Sequence, residues 1–285
     1  FIMLGGVVLN IALNALLIQG RLGFPAMGLQ GAGVATLISR CVVALVLWGW
    51  MIKAPSMAQW MRGETLAKIQ RPIFTALLQL GTPVAFQHLL EMGVFALGAF
   101  MMGWIHADAL AAHQIAFTCA STTFMFSLSL GMAASIRVGQ ALGAGEVHRV
   151  RRIGFLAMGH TVLIMSAFAI VLWMQGPTLA GWFVDSVKVT TLAVQLLTVA
   201  AAFQVFDGLQ VVAICILRGM QDVRIPATLA ILAYWLVTAP LGYVLAFVAG
   251  MGAMGIWIGF ASGLAVAAMG LIGRFHLLAV RDASQ

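Results

Sequence analysis

Glu91 and Asp207 are the two carboxylates in this 285-residue chain that sit deep inside long apolar runs. Glu64, Asp108, Glu146, Asp185, Asp222 and Asp282 fall between such runs or after the last one. A charged side chain at the centre of a bilayer costs about 3 kcal/mol or more, so each interior acid implies a function. Both acids stand among polar neighbours. Gln87 and His88 precede Glu91 by one helical turn and share its face. Gln204 and Gln210 flank Asp207 by about a turn each way, and Gly208 beside it lets another helix come close. A carboxylate can take up a proton or be neutralised by a metal cation. Sodium needs several oxygen ligands, which Glu91, Asp207 and carbonyls freed at a kink could supply. Pro83, two residues after Gly81, removes a backbone donor and can kink the helix below Glu91. The chemistry expected is reversible binding of H+ or Na+ at Glu91 and Asp207. The structural alternative is a satisfied polar patch at a bend, with Asp207 locked to an intramembrane Arg or His.

These side chains need elements that hold them in lipid. The chain is 62% hydrophobic and 8% charged, against about 25% charged in soluble domains. An all-α polytopic membrane protein is predicted. Eight runs reach the roughly 20 residues that a spanning helix needs, near 1–19, 30–52, 73–104, 110–135, 153–174, 190–217, 226–247 and 252–273. They are continuously apolar rather than alternating, which argues against barrel strands. The third and sixth are long enough to tilt or to extend past the hydrocarbon. Cys41, Cys119 and Cys215 lie inside spans without CxxC spacing and read as small apolar packing residues. Phe1 already lies in an apolar run and no basic leader precedes it, so the sequence reads as a fragment rather than as a signal peptide.

The net charge of +7 might be taken for a nucleic-acid footprint, but the positions of the charges speak for topology. Lys53, Arg62, Lys68 and Arg71 follow the second span, and Arg137, Arg149, Arg151 and Arg152 follow the fourth. Arg218 and Arg224 follow the sixth, and Arg274 and Arg281 follow the last. The opposite connections hold only Arg21 and Lys188, while Arg40 lies within the second span. The rich side is cytoplasmic by the positive-inside rule, which places the C-terminus there. Arg40 reads either as an interior Arg paired with a polar neighbour or as part of a transport path.

Two hairpins look alike. Met27-Gly28 with Gly31 parallels Met251-Gly252 with Gly255, each opening a returning span after a short outer connection. That suggests a parallel repeat about an axis along the membrane normal. With six spans to a repeat, four spans would precede this sequence. The fourth span carries Gln114, Thr118, Ser121 and Thr122 at helical spacing, which could line a substrate cavity or bond between helices. His113 and His160 read as structural hydrogen-bonders. Seventeen Met and seventeen Phe suit an adaptable apolar surface as well as an ordinary membrane core.

The order of these segments resembles the multidrug and toxic compound extrusion (MATE) family, in its NorM-like branch. The resemblance is carried by Gly81-Thr82-Pro83 with Glu91, by Leu110 through Ala116, by Gly131 through Gln140, by Asp207 through Gly219, and by Gly28 through Thr36. It implies a twelve-helix transporter of two lobes related by a pseudo-two-fold axis. Residues 1–52 would be the last pair of the N-terminal lobe and 53–72 the cytoplasmic linker. Residues 73–273 would be the six-helix C-terminal lobe and 274–285 a cytoplasmic tail. The function implied is antiport without enzymatic activity: export of cationic and amphiphilic organic compounds against H+ or Na+, by alternating access. The implied setting is the bacterial inner membrane, as a monomer with no cofactor beyond the coupling ion and no nucleic-acid partner. Glu91 and Asp207 match the family's acidic pair. Gln87, His88, Gln114, Thr118, Ser121, Thr122, Phe203, Gln204 and Gln210 are the candidate cavity lining. Some sodium-coupled members carry a Tyr one turn before the Asp, where this chain has Phe203. A lipid-linked precursor flippase is a rival, although its pyrophosphate substrate would want a cationic cavity. An intramembrane aspartyl hydrolase is more remote, because neither acid sits in GxGD.

Overall fold

Apolar runs bounded by Gly, Pro and charged residues become helices wherever the chain is described. The computed structural model describes residues 2–20, 25–54 and 71–281. Most of the expected linker lies outside these residues, as do Arg21, Arg62, Glu64, Lys68 and Asp282. Eight helices are long and apolar enough to cross a membrane: α1 (Ile2–Gln19), α2 (Gly28–Lys53), α3 (Arg71–Ile105), α4 (Ala107–Gly143), α5 (Val147–Gly181), α6 (Val187–Gly219), α7 (Arg224–Val248) and α8 (Ala253–Arg281). The fourth and fifth expected spans prove too short. α4 and α5 have 37 and 35 residues, because the polar residues flanking each apolar run stay helical. α8 likewise continues to Arg281, well beyond the expected 273, with Phe275 and Ala279 buried.

Two compact units divide the chain, Phe1–Phe74 and Thr75–Gln285. In the first, α1 and α2 pack against each other. Asn14 Nδ2 donates to Asn10 Oδ1, Asn10 Nδ2 donates to Ser39 Oγ, and Ser39 Oγ donates back to the Ala35 carbonyl. Such a ladder joins helices where lipid supplies no hydrophobic drive between them. Arg40 is exposed and has no partner among the described residues, so the expected polar pairing is not met.

In the second unit α6 is central, packed closely against α4, α5 and α8. Seventeen of its residues are buried, because small and branched side chains surround it on all sides. Gly208 and Gly219 permit that packing. A Cβ on Gly208 would stand 2.7 Å from Ser127 Oγ and 2.9 Å from Thr161 Cγ2, and one on Gly219 would stand 2.5 Å from the Ser135 carbonyl oxygen. α3 is different: the extensive close backbone approaches in this unit are made by the other helices. Side chains reach across to it instead, with Phe260 filling the notch at Gly98 and Trp235 Nε1 donating to the Leu90 carbonyl at 3.3 Å.

The hairpin parallel has a geometric basis. Gly28 and Gly252 both adopt left-handed backbone, at φ 53° and 58°. Gly31 and Gly255 both lie where a Cβ would strike the preceding helix, 2.6 Å from the Leu17 carbonyl oxygen and 2.5 Å from the Ala246 nitrogen. The first glycine of each pair turns the chain and the second lets the returning helix lie close.

Candidate cation site

α7 departs from regular α-helix twice, at Ala233–Thr238 and Val244–Val248, where the turns widen to π-helix. Pro240 is a physical cause of the first. It has no N–H to give, and its ring crowds the carbonyl four residues back, which a wider turn relieves. The widened segment carries Tyr234 and Trp235, whose side chains both reach α3. Tyr234 is buried, and its hydroxyl donates to Glu91 Oε1 at 2.9 Å. Trp235 caps the carbonyl of Leu90 next door.

Glu91 therefore sits in a built environment. It is 9% exposed, one oxygen taken by the phenol and the other 3.5 Å from His88 Nδ1. One turn below, Gln87 is buried and accepts from Arg218 Nη2 at 3.0 Å. Asp207, 8% exposed on α6, lies within electrostatic reach of both Glu91 and Tyr234. Among the described residues it accepts no hydrogen bond. The structural alternative, a lock to an intramembrane Arg or His, is not formed among the described residues, and Asp207 has a carboxylate and a phenol within electrostatic reach. Gln210, one turn on, has its Oε1 buried and unpartnered.

The remaining candidates separate from this pair. Gln204 turns toward α4 and α5, where its Nε2 donates to Thr123 Oγ1 and lies 3.6 Å from Met165 Sδ. Phe203 lies in the core, its ring 5.8 Å from that of Trp257. Gln114, Thr118 and Thr122 are exposed on α4 and Ser121 is half-buried. The hydroxyls of Thr118 and Thr122 are spent on their own helix, donating to the Gln114 and Thr118 carbonyls. Thr123 and Ser127 are the α4 hydroxyls that point inward. His113 accepts from Trp257 Nε1 at 3.2 Å, as a structural histidine does, and His160 bonds the Leu156 carbonyl of its own helix. Pro83 sits within a continuous α3 and leaves the Gln79 carbonyl without its helical donor. An open depression of about 440 Å³ there is lined by Gln79, Thr82, Pro83, Phe86 and Arg224 among others.

Two members of the site escaped the sequence reading. Tyr234 carried one signal, being one of two tyrosines in the chain and lying inside a span. Arg218 was read as a loop charge, yet it reaches into the lobe from the last turn of α6.

The oxygens present suit a small cation. Glu91, the Tyr234 phenol and Asp207 provide hard oxygen donors of the kind that sodium or a proton takes. Eight apolar helices, with such a pair inside the second unit, define a polytopic helical membrane protein with an interior acidic site. The MatE family model matches residues 83–244, and the chain belongs to that family. It is 38% identical over 271 residues to a probable multidrug resistance protein NorM of Pseudomonas aeruginosa, covering 93% of this chain and 56% of that protein. It is 38% identical over 282 residues to multidrug resistance protein NorM of Burkholderia vietnamiensis, covering 97% and 60%. The chain thus spans a little over half the length of these relatives. A crystal structure of MATE in the straight conformation superposes with a TM-score of 0.88 at 20% identity, covering 100% of this chain and 63% of that one.

Proposed function

We propose that this chain supplies the C-terminal lobe, with the last helix pair of the N-terminal lobe, of a cation-coupled antiporter. It would export cationic and amphiphilic organic compounds across a bacterial inner membrane, as a monomer with its C-terminus in the cytoplasm. One observation carries the reading. Asp207 is buried within electrostatic reach of Glu91, and no described side chain donates to it. An ionised carboxylate left so would be very costly, so the pair has to be neutralised by something that comes and goes. A proton or a sodium ion does this. The names of the NorM relatives support an organic, drug-like cargo.

The mechanism follows from differential binding. A proton or sodium at Glu91 and Asp207 discharges the pair and favours one facing state. An organic cation favours the charged, opposite state. Each ligand shifts the equilibrium only by its preference between the two. Tyr234 orients Glu91 and offers a phenolic oxygen where Phe203 has none, so sodium keeps an oxygen ligand from α7 and both ions remain candidates.

The test uses the full-length transporter in inverted vesicles, with sodium and proton gradients imposed separately and ethidium as cargo. Glu91→Gln and Asp207→Asn should each abolish gradient-driven ethidium movement while protein level and detergent elution profile stay unchanged. Undiminished gradient-driven transport in Glu91→Gln would sink the assignment.

A further inference from the structure

We infer that Arg218 is a positioning residue for Glu91 and acts through His88. The inference rests on the reading of Glu91 as a coupling site.

Arg218 stands in the last turn of α6, where a basic residue is expected to be a solvated topology charge. Its geometry is of another kind. Nη2 donates to Gln87 Oε1 at 3.0 Å and lies 3.3 Å from His88 Nε2. Nε is buried and has no partner among the described residues. The guanidinium is committed inward, against α3.

That contact sets the state of His88. A guanidinium has donors and no acceptor, so Nε2 has to be the accepting nitrogen. The ring proton is then on Nδ1, which lies 3.5 Å from Glu91 Oε2. His88 then presents its ring N–H to the acid across a long 3.5 Å contact, while Tyr234 holds the other oxygen at 2.9 Å. The resulting chain runs from Arg218 through His88 to Glu91. It matters more because α3 makes no extensive close backbone approach to its neighbours, and side chains from α6 and α7 reach it around Glu91.

The direction of the effect follows. Donors to a carboxylate favour its charged, ion-free form. Without Arg218 the imidazole is free to turn, Glu91 loses one donor, and the ion-bound form gains by comparison. Arg218→Gln should therefore lower the half-saturating concentration of the coupling ion by about three- to tenfold.

The experiment measures ethidium transport by the full-length protein in proteoliposomes, as a function of whichever of sodium or proton drives it. His88→Phe should shift half-saturation as far as Arg218→Gln does. His88→Gln should not, because an amide can accept from Arg218 and donate to Glu91. The double variant Arg218→Gln, His88→Phe should shift no further than either single change. Unchanged half-saturation in the single variants overturns the inference. So does a double variant whose shift is the sum of both, since Arg218 would then act by charge alone. If Arg218→Gln does not fold, the contrast between His88→Phe and His88→Gln decides, and equal behaviour of those two overturns it. Glu91→Gln in the same assay separates the two claims. Intact coupling there removes the site itself. Lost coupling there, with the Arg218 and His88 variants unshifted, removes only the role of Arg218.

Discussion

At the scale of the residue, the site turns on where the phenol comes from. Phe203 occupies the position one turn before Asp207 but is packed against Trp257 with 5% of its surface exposed. A hydroxyl added there would enter a buried core beside an indole ring. Phe203→Tyr should thus cost about 1–3 kcal/mol of stability and leave sodium dependence unimproved, which thermal unfolding in detergent and the gradient assay would check. Tyr234→Phe is the converse case. It removes the donor to Glu91 Oε1 and keeps the ring contact with Phe95. By the sign argued for His88, the half-saturating ion concentration should fall by about tenfold if the phenol acts only as a donor. It should rise if the phenolic oxygen is itself an ion ligand. Ion-dependence curves for this single variant discriminate between the two.

At the scale of the element, glycines set how closely α6 approaches its neighbours. Gly208 faces the side chains of Met165, Ser127 and Thr161, which can shift by rotamer, whereas Gly219 faces the backbone of Ser135, which cannot. Gly219→Ala should accordingly be more damaging than Gly208→Ala, with about 1–3 kcal/mol for the latter and a larger loss for the former. Gly103→Ala meets nothing within 4 Å and serves as the control. Detergent melting temperatures of the three variants give the order. The widened turns of α7 make a second case. Removing Leu236 would restore regular winding over Ala233–Thr238 and rotate one half of α7 against the other by about 100°. Tyr234 and Trp235 could not then keep both their α3 partners while the rest of α7 kept its place on α8. Transport should be lost although the helix itself is better formed.

At the scale of the whole molecule, the connections give a test of the membrane orientation proposed from the loop charges. Gly145 lies in the turn between α4 and α5 near Arg137, Arg149, Arg151 and Arg152, and His106 lies in the opposite turn between α3 and α4. In a background lacking Cys41, Cys119 and Cys215, a Gly145→Cys thiol should react with an impermeant maleimide only in inverted vesicles. A His106→Cys thiol should react only in intact cells. The reverse pattern would overturn the orientation. Much of this scale is legible without coordinates. Eight apolar runs longer than a bilayer is thick have no other stable form than helices that satisfy their own backbone. Two interior acids announce themselves by their cost, and the Met-Gly pairs mark turns because only glycine enters left-handed backbone freely. What the sequence could not reach is which way each helix is rotated and what meets it there. Helical spacing put Gln114, Thr118, Ser121 and Thr122 on a stripe, but packing turned Thr123 and Ser127 inward. It sent Gln204 away from Asp207, brought Tyr234 across from α7, and drew Arg218 out of the loop and onto Gln87 and His88. Local periodicity specifies a face of a helix. The partner of that face lies as many as 145 residues away, as between Leu90 and Trp235, and is settled only when all the side chains of a unit compete for the same space.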